Sequence, residues 1–206
     1  MFITLEGPEG AGKSLQSRRL VERLRAEGRQ VLPTHEPGGT PLGLELRRLL
    51  LDRGELGLVP RSEALLMNAS RAQLVETVIR PALDRGEIVV CDRFADSTLA
   101  YQGAGRGLDG QELSSVISFA TAGLEPDMTI LLDVPVEVGL ARKHSQDQKN
   151  RFEAEAMAFH TRVRNAYQEL ARSRPERWYC FDGQEDPEQL SRLIWDSVSQ
   201  RLRLRT

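Results

Sequence analysis

Gly7-Pro8-Glu9-Gly10-Ala11-Gly12-Lys13-Ser14 is the stretch that decides the fold. It fits G-x-x-x-x-G-K-[ST], the spacing of a phosphate-binding loop. An apolar β-type run, Phe2-Ile3-Thr4-Leu5, precedes it, and Leu15, Leu20, Val21 and Leu24 recur after it at roughly helical spacing up to Gly28. Strand, loop and helix in that order supply the physics. Gly7, Gly10 and Gly12 let the backbone turn its N–H groups toward phosphate oxygens, and the helix adds its positive N-terminal end. Lys13 is spaced to reach β- and γ-phosphates, and Ser14 to ligate Mg²⁺.

The chain has 206 residues and a formal charge of −2. That length holds a single domain with a sheet covered on both faces, and room for a mobile appendage. The near-neutral balance argues against a nucleic-acid polymer as partner; a small anionic ligand needs only a local positive pocket. Charged residues make up 28% and aromatics 5%, which excludes a disordered chain and an aromatic stacking platform. Cys91 and Cys180 form neither a disulfide framework nor a metal spacing. Both lie in apolar runs and are expected as buried free thiols, which suits a reducing cytoplasm. No run reaches the length of a membrane span, and Phe2–Leu5 is too short for a signal peptide.

Further along, Gln30–Thr34, Glu87–Cys91, Asp127–Asp133 and Trp178–Phe181 read as strands. Helical periodicity covers Leu42–Leu51, Arg61–Arg85 (with a kink at Pro81), Gln111–Ala122, Val136–Arg142, Phe152–Arg172 and Pro187–Leu204. Phe94–Gln102 reads as helix or turn, and Gly103–Gly110 as a glycine-rich mobile loop. Strands alternating with helices predict an α/β fold: three α/β/α layers around a five-stranded parallel sheet of P-loop NTPase type. Ligands on such a sheet bind outside the carboxyl ends of the strands. The loop, Glu36, Asp92-Arg93, Asp133 and Asp182 all fall there. Asp92 either supports a metal, as a Walker B carboxylate does, or caps the helix that follows. Arg93, Arg71 and Arg47 are solvated surface charges unless they converge on one phosphate, for which a guanidinium fork is well shaped. Ser97, Thr98, Tyr101 and Gln102 read alone as packing, caps or solvent contacts.

Taken together, Glu9, Glu36-Pro-Gly-Gly-Thr40, the run Asp92-Arg-Phe-Ala-Asp-Ser-Thr-Leu-Ala-Tyr-Gln-Gly103 and Arg106-Gly107 resemble bacterial thymidylate kinases. The similarity runs in order over essentially the whole chain. It implies transfer of the γ-phosphoryl of ATP to thymidine monophosphate (dTMP), with Mg²⁺ as cofactor. The residues from Gly7 to Ser14, with Pro8, Gly10, Ala11 and Gly12 between, would hold ATP, and Ser14 and Asp92 the metal. Glu9 matches a loop carboxylate that meets the sugar 3′-hydroxyl. Arg93 matches an arginine bridging acceptor phosphate and donor. Arg47 matches a phosphate-side contact and Arg71 a contact to the thymine edge. Ser97, Thr98 and Gln102 match positions around base and phosphate. Tyr101 matches the ring crowding the sugar 2′-position, and Glu36 an acid near the acceptor. The resemblance also implies a homodimer.

Two positions depart from the family pattern, and the lid is poor in arginine for its kind. His35 stands where an arginine usually precedes Glu-Pro-Gly-Gly. Met67 stands where a phenylalanine stacks on thymine, which predicts a looser grip on the base. Position 10 is glycine, and in relatives of that kind a lid supplies the catalytic cation. The expected lid spans about 142–152, with Arg142, Lys143, Lys149 and Arg151 as donors, Arg151 first and Arg142 second; the alternative is a solvated loop. Two other readings compete with the kinase. One is a related P-loop kinase with a different nucleotide or nucleoside acceptor; the other is a nucleotide-binding regulator without catalysis.

Overall fold

A computed structural model describes residues 1–52, 56–144, 152 and 155–203. Five strands form one parallel sheet: β1 (Phe2–Glu6), β2 (Val31–His35), β3 (Ile88–Asp92), β4 (Met128–Asp133) and β5 (Trp178–Asp182). Their order is β2-β3-β1-β4-β5, so β1, which feeds the phosphate loop, lies at the centre. The helices are α1 (Lys13–Ala26), α2 (Pro41–Leu51), α3 (Pro60–Leu74), α4 (Arg80–Asp84), α5 (Ala95–Thr98), α6 (Gly110–Thr121), α7 (Val136–His144), α8 (Met157–Ser173) and α9 (Pro187–Arg203).

Side chains alternate across a strand, so a strand covered on both faces must be apolar at every position. β1 and β3 come close to that requirement, with Thr4, Glu6 and the terminal Asp92 as their polar positions. Ile3, Leu5 and Val90 pack with Leu20 and Leu24 of α1 and Ile194 of α9 on one face. Phe2, Val89 and Cys91 pack with Leu74, Ile79 and Ala82 on the other. Each fully buried aliphatic side chain stabilises the layers by roughly 1.5–3 kcal/mol before its ordering entropy is counted. β5 is an edge strand, and there Cys180 is exposed while Cys91 is buried; the expectation of two buried thiols fails for Cys180.

Two helical segments depart from the sequence-based reading. The helix around Pro81 does not simply kink. Proline lacks an N–H and its ring crowds the carbonyl four residues back. The chain answers with a π-helical turn over Val75–Ile79, in which the Arg80 N–H reaches back to the Val75 carbonyl. The second departure bears on the site. α5 runs on through a π-helical turn, Leu99–Gly105, so the expected glycine loop begins only after Gly105. Gly105 is needed at the end of this turn because α8 presses against it: a Cβ there would lie 2.6 Å from the Phe159 ring. α8 itself starts at Met157 rather than at Phe152.

Candidate active site

The phosphate loop leaves β1 with three left-handed or extended-positive glycines, at φ 144° (Gly7), 68° (Gly10) and 91° (Gly12). Gly10 has a further reason to lack a side chain. A Cβ at Gly10 would collide with the backbone of Gly139 in α7, and one at Gly139 with the carbonyl of Glu9. Loop and helix therefore touch backbone to backbone. Lys13 Nζ donates to the carbonyls of Gly7 (3.0 Å) and Pro8 (2.8 Å). Ser14 Oγ donates to Asp92 Oδ2 at 2.5 Å. α5, by contrast, has no side-chain cap at Phe94, whose N–H is taken by Glu6. Of the two roles open to Asp92, its bond is to the loop serine.

Arg93 occupies left-handed backbone, φ 69°, an uncommon conformation for a side-chain-bearing residue. Its guanidinium is held on several sides. Nη1 donates to the Gly7 carbonyl (3.1 Å), Tyr167 OH (3.1 Å) and Ser97 Oγ (3.3 Å), and Nη2 to Glu9 Oε1 (3.0 Å) and Tyr101 OH (2.9 Å). Tyr101 also donates to Glu9 Oε1 at 2.9 Å, and the Arg93 fork lies over its ring. Burial alone would raise the Glu9 carboxyl, but the charges of Arg93 and Lys13 and the Tyr101 hydroxyl outweigh it and hold it at about 2. Burial, aided by the Arg93 charge, lowers Lys13 from 10.5 to about 8, against the pull of Glu9, Asp92 and Glu6. Glu6 is fully buried beneath this cluster and accepts from Phe94 N–H, Ser97 and Tyr167. Burial and then the Asp96 charge raise it to about 7.

On the other side of Arg93 lies a second network. Arg71 is 2% exposed, and all five of its N–H groups have acceptors. Nε and Nη2 reach Glu36 Oε2 (2.9 and 2.7 Å), Nη2 the Phe94 carbonyl (3.1 Å), and Nη1 Asn68 Oδ1 (2.9 Å) and Thr98 Oγ1 (3.0 Å). Glu36 precedes a cis Pro37, whose carbonyl accepts from Arg47 at 3.0 Å. Burial and the Arg47 charge depress His35, so it is neutral at neutral pH and adds no cation to this side.

These networks line one cavity of about 860 Å³. Its wall contains Glu9 to Ser14, Glu36, Arg47, Met67, Arg71, Asp92, Arg93, Ser97, Thr98, Tyr101, Gln102 and Arg142. Gly7 and Pro8 stand behind the wall and face Lys13 through their carbonyls. Arg142 bridges the loop to the turn after β5, donating to the Gly183 carbonyl at 2.8 Å. Lys143 lines the same end. Arg151, Lys149 and most of the expected lid lie outside the described residues. Asp133 and Asp182 take no part in this cavity: Asp133 pairs with Arg164 at 2.8 Å, and Asp182 accepts from Gln184 N–H.

Sequence reasoning missed Glu6, Tyr167, Glu63 and Phe152. A carboxylate inside an otherwise apolar strand was a signal for Glu6. Phe152 was read as the start of a helix; instead it packs edge-on to Tyr101, with centroids 5.7 Å apart, and walls the cavity near Met67.

A central strand, a glycine loop, a lysine–serine helix start and an aspartate closing the neighbouring strand define a P-loop nucleotide-binding protein. The family model described as thymidylate kinase matches residues 5–194. Two similar relatives are thymidylate kinases of Thermomicrobium roseum, 53% identical with 97% of this chain and 94% of that one covered, and of Deinococcus radiodurans, 50% identical with 98% and 97% covered. The solved structure of thymidylate kinase from Ehrlichia chaffeensis superposes with a TM-score of 0.80 at 32% identity, covering 97% of this chain and 98% of that one. This chain belongs to the thymidylate kinase family.

Proposed function

We propose that the protein transfers the γ-phosphoryl of ATP to dTMP, forming the diphosphate on the way to dTTP. The observation that carries this reading is the Arg93 fork. It stands between the phosphate loop and the Glu36–Arg71 network, where a donor and an acceptor phosphate would meet in one cavity. Phosphoryl transfer asks for positioning and charge neutralisation more than for a covalent nucleophile. Lys13 and Arg93 supply fixed positive charge, and the loop N–H groups with the start of α1 hold the donor phosphates. The acceptor is itself an anionic phosphate, so no strong base is needed; Glu36 is already committed to Arg71.

Glu9, held ionised beside Tyr101, is assigned to accept a hydrogen bond from the 3′-hydroxyl of a deoxyribose, and Tyr101 to crowd a 2′-hydroxyl. Arg47 is assigned to the acceptor phosphate, and Ser97, Thr98, Gln102, Arg71 and Met67 to the acceptor's base and phosphate. Ser14 and Asp92 present two hard oxygens side by side, a donor pair that fits Mg²⁺, and they are the residues that would hold it. Mg²⁺ held by these two residues would supply positive charge to offset that of the donor phosphates. Arg142 and Arg151 are assigned as cations of a lid over about 142–152 that excludes water.

The proposed partners are small molecules. A homodimer is proposed as well, because Phe119 of α6 is 89% and Leu65 of α3 58% exposed on helices that pack together. Sedimentation velocity showing a monomer at micromolar protein would refute that dimer. No helix among the described residues is long and apolar enough to cross a membrane, and we place the protein in the cytoplasm.

The deciding experiment follows ADP formation from Mg·ATP with each deoxynucleoside monophosphate, beside a control without acceptor. Turnover with dTMP, weaker turnover with deoxyuridylate and far slower turnover with the others is the expected result. Another preferred acceptor would overturn the substrate assignment. ATP binding without acceptor-dependent ADP would identify a regulator instead.

A further inference from the structure

Glu63 is 0% exposed, sits on α3 one turn before Met67, and forms no part of the cavity wall. Its carboxylate oxygens accept from Arg106, at 3.3 Å (Nε to Oε1) and 3.2 Å (Nη2 to Oε2). Arg106 is fixed in turn by Glu155 Oε1 at 2.5 Å and by the ring of Phe159 beneath it. Glu63 Oε1 also accepts from the side-chain amide of Gln102, whose Nε2 donates to it at 2.7 Å.

An amide can be turned by half a revolution at little cost unless a neighbour dictates which end is the donor. Here the neighbour is a carboxylate already facing a guanidinium, and it accepts only. The reversed amide would set Oε1 against Oε1 at hydrogen-bond distance, two acceptors in a buried place. Gln102 lines the cavity whereas Glu63 lies behind it, so tying the amide nitrogen to Glu63 turns the amide oxygen toward the cavity. Nearby Arg71 has no uncommitted N–H to compensate, since all five are taken by Glu36, Asn68, Thr98 and the Phe94 carbonyl.

We propose that Glu63 is a positioning residue for base selection. It locks the Gln102 amide with its oxygen toward the acceptor's base, so that this wall accepts a ring N–H and repels a ring lone pair. Thymine and uracil carry N3–H; cytosine carries a bare N3. A site built around one hydrogen-bonding polarity rejects the opposite one strongly, because the wrong partner leaves a buried acceptor facing another acceptor. This inference rests on the dTMP reading and deepens it, since it names how that acceptor would be told from deoxycytidine monophosphate (dCMP).

The test is Glu63→Gln, which keeps the shape but can both donate and accept, and so releases the flip. The readout is the ratio of kcat/KM for dTMP to that for dCMP, which general damage to the fold lowers in both terms and leaves in place. The ratio is expected to fall at least about tenfold in Glu63→Gln. In a Gln102→Met background the same change is expected to leave the ratio where Gln102→Met alone puts it. Proportional loss with both acceptors, or the same fall in the Gln102→Met background, would overturn the proposal while dTMP turnover by the unaltered protein kept the functional reading intact. Absence of that turnover would overturn both.

Should Glu63→Gln not fold, calorimetric titration of the unaltered protein with N3-methylated dTMP decides. Binding weaker than dTMP by about fiftyfold or more is expected, because the methyl replaces the N–H that the amide oxygen reads. Binding within about threefold of dTMP would overturn the proposal.

Discussion

Arg93→Lys is expected to lower kcat/KM for dTMP by about 10³-fold, with ATP affinity changed by less than about threefold. The size follows from what an arginine at transferring phosphates contributes, on the order of 10³–10⁵ in rate. The geometry explains why lysine does not substitute. Arg93 spans the Gly7 carbonyl, Glu9, Ser97, Tyr101 and Tyr167 at 2.9–3.3 Å with a planar fork. A lysine ammonium is one point charge on a flexible stem and reaches one side of that set at a time. The backbone at this position is left-handed for either residue, so the substitution isolates the side chain. Steady-state ADP formation gives the rate term, and a separate nucleotide titration gives the affinity. A loss of less than about tenfold would mean that Arg93 braces Glu9 and Tyr101 without acting on the phosphates.

ATP affinity is expected to fall about tenfold for each pH unit above about 8, reaching roughly 100-fold by pH 10. The cause is Lys13, whose ammonium is lowered from 10.5 to about 8 chiefly by burial. Below that value the lysine is charged and meets the phosphates as a cation; above it the charge is lost. Stability runs the other way. A lysine whose folded value lies beneath its unfolded value costs stability while charged in the fold. Between about 8 and 10.5 the unfolded chain holds the extra proton, so this residue's contribution to stability improves as pH rises. Affinity and thermal stability measured on the same series should therefore diverge over that window. Lys13→Arg, charged throughout, should flatten the affinity curve, and a flat curve for the unaltered protein would refute the assignment.

The alternation of elements was readable because the core strands are runs of mostly apolar residues, and because Gly7, Gly10, Gly12 and Lys13 sit between a strand and a helix. The segment from Leu99 to Gly105 was not readable. Gly103 and Gly105 look like flexible punctuation in a linear sequence, yet Gly105 is a packing site for Phe159 and Val163, 54 and 58 residues further on. A glycine that permits a turn and one that permits a close helix contact are the same letter. Cys180 was misread for a similar reason, since an apolar run does not say which strand is the edge.

The site divided along the same line. Motif residues were legible because their backbone context is local. Glu6, Tyr167 and Glu63 act through partners 91, 74 and 39 positions away (Ser97, Arg93 and Gln102), and no spacing rule reaches that far. Arg71 illustrates a finer limit. Its position on α3 was legible, but that its fork is saturated by Glu36, Asn68, Thr98 and a carbonyl required coordinates.

The contact between Gly10 and Gly139 has a consequence for how such a protein changes by mutation. A side chain at Gly10 would run into the Gly139 backbone, and one at Gly139 into the Glu9 carbonyl. A positively charged residue cannot be moved into the loop at position 10 by one substitution, because α7 must first retreat, and α7 cannot retreat without uncovering the Glu9 carbonyl. Nor does a side chain at Gly139 fit while the loop stays put. The two positions are thus locked against independent drift, and a loop-borne and a helix-borne arrangement of charge are separated by a coordinated double change rather than by a gradual path.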